Sequence, residues 1–75
     1  MLSKPIQLKA ARALLGWDQM RLSKESGVGL ATIRRQEHAT DFSCTVPILI
    51  KMKAALEKAG IEFLNHEKPG VRLTL

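Results

Sequence analysis

The chain is poor in the residues that build sites from thiols. Cys44 is the only cysteine among 75 residues, so no intrachain disulfide can close and no cluster of thiolates can hold a metal. A reducing compartment suits such a chain. No stretch approaches the roughly 18 apolar residues of a membrane span, and no apolar run of signal-peptide length follows Met1-Leu2-Ser3-Lys4-Pro5. A cytoplasmic protein, not attached to a membrane, is expected. Catalytic signatures are missing as well: there is no Gly-x-Ser-x-Gly elbow, no phosphate-cradling glycine loop, and no His-Glu-x-x-His or paired-cysteine spacing. Cys44 and His38 lie close in sequence but read as a buried thiol and a surface imidazole. Trp17 reads as a core anchor between the first two helices. No enzyme, cofactor or metal is expected. Acidic residues are also few, seven Asp and Glu against twelve Lys and Arg, which leaves a net charge of +5. Polyanions are the natural partners of that surplus, although a modest positive balance can equally serve solubility alone. The position of the charges has to decide.

What is present makes one small domain spanning 1–75. A core of this size supplies about 3–5 kcal/mol, so a partner subunit is a natural source of further stability. Ser3 can cap a first helix with Pro5 near its start. Ile6, Ala10, Ala11, Leu14 and Leu15 recur at helical spacing on a face that ends at Gly16, with Lys9 and Arg12 toward water. Asp18 is a good N-cap for a second helix, in which Met20, Leu22 and Ser23 point inward until Gly27 stops it. Gly29 precedes a third helix from about Leu30 to Glu37. A polar loop, 38–44, carries Phe42 back onto the core. Thr45 and Pro47 open a fourth helix with the stripe Leu49, Met52, Ala55, Leu56 and Ala59.

Beyond Gly60 the apolar period falls from about 3.6 to 2. Ile61 and Phe63, then Val71, Leu73 and Leu75, flank a turn over 65–70, which is a hairpin pattern. An isolated hairpin is marginal and exposes edges, so it should either lie on the helices or pair with a second chain. Pairing between chains is the expectation, with Ile48 and Ile50 of the fourth helix extending the same interface. The fold class is therefore mainly α: four helices with a C-terminal β-hairpin about 61–75 that dimerises.

The segment 19–38 resembles the helix-turn-helix of the Cro and lambda-repressor-like superfamily, the Xre-type regulators. Gln19 opens its second helix, Ser23 falls where two helices cross, Gly27 makes the turn, and Ile33 plugs the core. Leu8-Lys9-Ala10-Ala11-Arg12-Ala13-Leu14-Leu15-Gly16-Trp17 resembles the first helix of short members. Ala55-Leu56-Glu57-Lys58-Ala59-Gly60-Ile61-Glu62-Phe63 with Gly70-Val71-Arg72-Leu73 resembles the tail of the single-domain type. Two departures are Gln36, where an aliphatic residue is usual, and Ser23, where alanine is commonest. The resemblance implies a sequence-specific transcriptional regulator, and an ion pair between Arg12 and Glu37 that fixes the reading helix.

On that reading Leu30, Ala31, Arg34 and Arg35 face the major groove. Arginine can donate two hydrogen bonds to guanine, and small apolar residues can sit against thymine methyls. Gln19, Thr32 and His38 are the candidates for backbone contact. The expected partner is double-stranded DNA, bound on a near-palindromic site by a homodimer whose two third helices enter successive grooves. Repression by promoter occlusion follows most simply, with control by the protein's own concentration or by a regulatory protein. The alternative is a protein-interaction module of antitoxin or antirepressor type, in which DNA binding is secondary or absent.

Overall fold

A computed structural model describes residues 2–65 and 68–74. Four helices, α1 (Pro5–Leu15), α2 (Gln19–Ser26), α3 (Leu30–His38) and α4 (Val46–Lys58), precede an antiparallel hairpin of β1 (Ile61–Asn65) and β2 (Pro69–Leu73). The chain is thus mainly helical with a small C-terminal hairpin, as its periodicity implies. The helix boundaries follow from local chemistry. Gly16 and Gly27 end α1 and α2 at φ 70° and 74°, a left-handed conformation that costs a side-chain-bearing residue about 1–2 kcal/mol. Asp18 Oδ1 accepts the Arg21 N–H at 2.7 Å and so caps α2. Thr45 flanks α4 and Pro47 occupies its first turn.

The core gathers Leu2, Leu8, Ala11, Leu22, Val28, Ile33, Met52, Leu56, Ile61 and Phe63. Trp17, Phe42, Cys44, Ile48 and Leu49 pack against it, half-buried. Several residues lie elsewhere than their spacing suggests. The N-cap of α1 is Lys4, not Ser3. The buried face of α1 runs through Pro5, Leu8 and Ala11, so Ile6 and Leu14 turn to solvent. On α2 Leu22 alone is fully buried, and Met20 is exposed.

Burial of Gln7 explains the rotation of α1. Its Oε1 accepts the N–H groups of Ser3 at 2.7 Å and Lys4 at 2.9 Å, which would otherwise be orphaned at the helix start. Its Nε2 donates to Gly70 O and Asn65 Oδ1, both at 3.1 Å. One amide therefore ties the chain entry, α1 and the hairpin together. Gln36 is buried in the same manner: it accepts Ser43 N–H at 2.8 Å and donates to Ser43 Oγ at 3.1 Å, which fastens the loop after α3.

The hairpin lies on its own chain, β2 along α1 and β1 against α4. Ile61 pairs with Leu73 and Phe63 with Val71 in the ladder. Ile61 is 3% exposed and Phe63 8%, so both are used up in the core of one protomer and have no surface left for a second. This corrects the expectation that they form a dimer interface: the helices supply the apolar cover that the hairpin needs. Ile48, Val71 and Leu73 are half-buried and Ile50 is exposed. Leu75 lies outside the described residues.

Candidate nucleic-acid interface

α3 packs against both α1 and α2, and its sequence divides it into an inner and an outer side. Ile33 and Gln36 are buried and fix the inner side. At 100° per residue the opposite side is formed by Ala31, Arg35 and His38, with Arg34 on its flank. All four are exposed, while Leu30 and Thr32 are half-buried at the margins. Ile33 sets the phase of so short a helix, which accounts for Ala31, Arg34 and Arg35; Leu30, expected on the same face, is half-buried at its margin, and His38, expected at the flank, lies on it.

Beneath this face lies a charged anchor. Arg12 of α1 meets Glu37 of α3 with two parallel hydrogen bonds, Nε to Oε2 and Nη2 to Oε1, each 2.6 Å. The two side chains are 14% and 4% exposed. Arg12 Nη1 also donates to Trp17 O at 2.9 Å, which holds the end of α1 to the same site. The hydrogen bonding to Glu37 pushes the Arg12 guanidinium pKa above its ordinary value; burial opposes this, and the charges of Glu37 and Asp18 add to it.

Gln19 joins the anchor. Its Nε2 donates to Glu37 Oε1 at 3.2 Å, so one of the two amide N–H groups proposed for a phosphate is directed inward. The sequence placed Gln19 at the start of α2 but gave no sign of this partner, which lies eighteen residues away. Ser23, where the helices cross, donates its hydroxyl to Val28 O at 2.7 Å and so braces the turn between α2 and α3.

The remaining charges determine what the outer face of α3 can do. Carboxylates are consumed in pairs: Asp41 with Lys4, Glu25 with Arg21, Glu57 with Lys53 and Glu62 with Arg72, besides Glu37 with Arg12. Asp18 is occupied in capping α2. Among the described residues Arg34 and Arg35 have no acidic partner, and a planar guanidinium is suited to two-pronged donation to phosphate or to a base edge. Arg21 lies 5.0 Å above the Trp17 ring and is doubly occupied, by the ring and by Glu25. Among the described residues no group of His, Cys, Asp and Glu could hold a metal ion, and no helix is long and apolar enough to cross a membrane. No family model matches the chain, and no curated protein sequence matches it.

Proposed function

We propose that the chain is a sequence-specific DNA-binding regulator of the helix-turn-helix kind, with α2 and α3 as its two helices and α3 as the reading helix. The observation that carries this reading is the outer face of α3. It presents Arg34 and Arg35, unpaired among the described residues, beside the small Ala31, on a helix locked from behind by the buried Arg12–Glu37 pair. Ala31 lets the helix approach a groove closely, and an arginine beside it can reach guanine O6 and N7. Thr32 at the margin of the face and His38 at its C-terminal end supply phosphate contacts, and Gln19 adds one from the start of α2.

Two copies related by a twofold axis set two such helices about 10 bp apart on a near-palindromic operator. With Ile61 and Phe63 occupied inside the protomer, the surface for that association is the exposed side of α4 around Val46 and Ile50. Occupying a promoter in this way represses it. The reading is tested by a nuclear magnetic resonance titration with a mixed-sequence duplex at low salt. Amide shifts concentrated at Ala31, Arg34, Arg35 and His38 support it. Shifts confined to other faces, or no shifts, refute it.

A further inference from the structure

α1 is apolar on two sides. Its inner side builds the core. Its outer side leaves Ile6 70% and Leu14 46% exposed, with Ala10 and Ala13 between them. These four recur at the i, i+4, i+7 and i+8 spacing of a face that packs against another element, and no described residue covers Ile6. Near its N-terminal end the face opens into a groove of about 510 Å³ lined by Ile6, Lys9, Ala39, Thr40 and the paired Lys4 and Asp41, with Glu37 at its wall. Burying Gln7 while exposing Ile6 is the reverse of what solvent alone favours.

We propose that this face docks an acidic amphipathic helix of a different protein. Charge decides the kind of partner. α1 carries two charges, Lys9 and Arg12, and Arg12 is committed to Glu37. Lys9 is therefore the unpaired charge beside the stripe, and both carboxylates at the groove already have cations of their own. A second copy of a chain with net charge +5 brings another Lys9 to this face, and among the described residues each of its carboxylates is already paired or capping a helix. A helix with leucines on one side and glutamates beside them covers Ile6 and Leu14, fills the groove with one side chain and neutralises Lys9. The docking surface uses neither Arg34 nor Arg35, so it stands or falls separately from DNA reading.

The probe is a fluorescently labelled helical peptide with leucine on one face and glutamate on the other, compared by anisotropy with its lysine-for-glutamate counterpart. The intact chain binds the glutamate peptide in preference, with amide shifts at Ile6, Ala10, Ala13 and Leu14. Lys9→Glu weakens that complex about two- to fivefold, the range of a solvent-exposed pair, and moves the preference toward the lysine peptide. The double variant Ile6→Ser, Leu14→Ser abolishes binding while keeping the wild-type circular dichroism. If that variant fails to fold, Lys9→Glu and the shift map decide. Equal binding of both peptides, or shifts elsewhere, overturns the proposal. So does sedimentation showing a wild-type dimer that Lys9→Glu strengthens and the serine variant dissociates, since a second copy then owns the face.

Discussion

At the residue scale the structure rests on three buried polar side chains whose partners differ in how easily they return to water. Glu37 is nearly enclosed, and Arg12 is its counter-ion. Arg12→Ala leaves a carboxylate without its cation inside the protein, and chemical denaturation is expected to show a loss of about 3–5 kcal/mol. The upward shift of the Arg12 pKa fixes the sign of its pH dependence. With the Glu37 carboxylate ionised, its stabilisation is complete from neutral pH up to the ordinary guanidinium value and is lost only as pH rises through the raised one, in strong alkali. A denaturation series from neutral to moderately alkaline pH should therefore reveal no loss traceable to Arg12. Gln7 and Gln36 make a second contrast. Gln7→Leu frees the N–H groups of Ser3 and Lys4, which are exposed and can bond to water, but also strands the carbonyl of half-buried Gly70, at about 1–3 kcal/mol for a group left unpaired inside. Gln36→Leu releases only Ser43, which is exposed and can bond to water. The first substitution should lower stability in urea by about 1–3 kcal/mol, and the second by less than about 1 kcal/mol.

At the scale of elements, the glycine stops and the Asp18 cap were the legible part of the sequence, because they depend on neighbours in the chain; Ser3 does not cap α1, and Thr45 makes no side-chain cap bond to α4. Asp18, Gly16, Gly27 and Gly60 act at the boundaries their chemistry implies. Gly27→Ala meets no atom within 4 Å, so its cost is backbone strain alone, about 1–2 kcal/mol, read as a lowered melting temperature. Gly29 has a negative φ, −59°, and space beside it, so Gly29→Ser should add a few tenths of a kcal/mol by capping α3. The phase of α1 was not legible, and the reason is physical. Ile6, Ala10 and Leu14 form one helical stripe; Leu8, Ala11 and Leu15 form another, and periodicity cannot choose between them. The choice belongs to Gln7, whose partners Asn65 and Gly70 are more than fifty residues away. The hairpin carries the same lesson. Alternation revealed its strands but not its cover, which α1 and α4 provide. Removing everything after Gly60 takes Ile61 and Phe63 out of the core, and losing one large core side chain already costs about 3–5 kcal/mol. The truncated chain should therefore lose cooperative thermal unfolding by circular dichroism, rather than survive as a folded monomer.

At the scale of the whole molecule the arrangement of charge matters more than its sum. Four surface ion pairs and the buried Arg12–Glu37 pair consume acids, and the face of α3 keeps two guanidiniums without partners among the described residues. The places of Ala31, Arg34 and Arg35 on that face were legible from Ile33 and the 3.6-residue repeat, and those of Leu30 and His38 were not. The inward turn of Gln19 was not, since it depends on how α2 and α3 converge on Glu37. The central claim is that this face reads DNA sequence in the context of a twofold dimer. The most direct measurement is selection of random duplexes by the intact chain, with the retained pool sequenced and rebound across a salt series. The account predicts an enriched inverted repeat with half-sites about 10 bp apart. It also predicts an affinity that falls with log salt by about 0.9 for each phosphate engaged, and loss of discrimination in Arg34→Ala and Arg35→Ala. A pool with no enriched sequence, whose retention fades with salt alike for wild type and both variants, would contradict it.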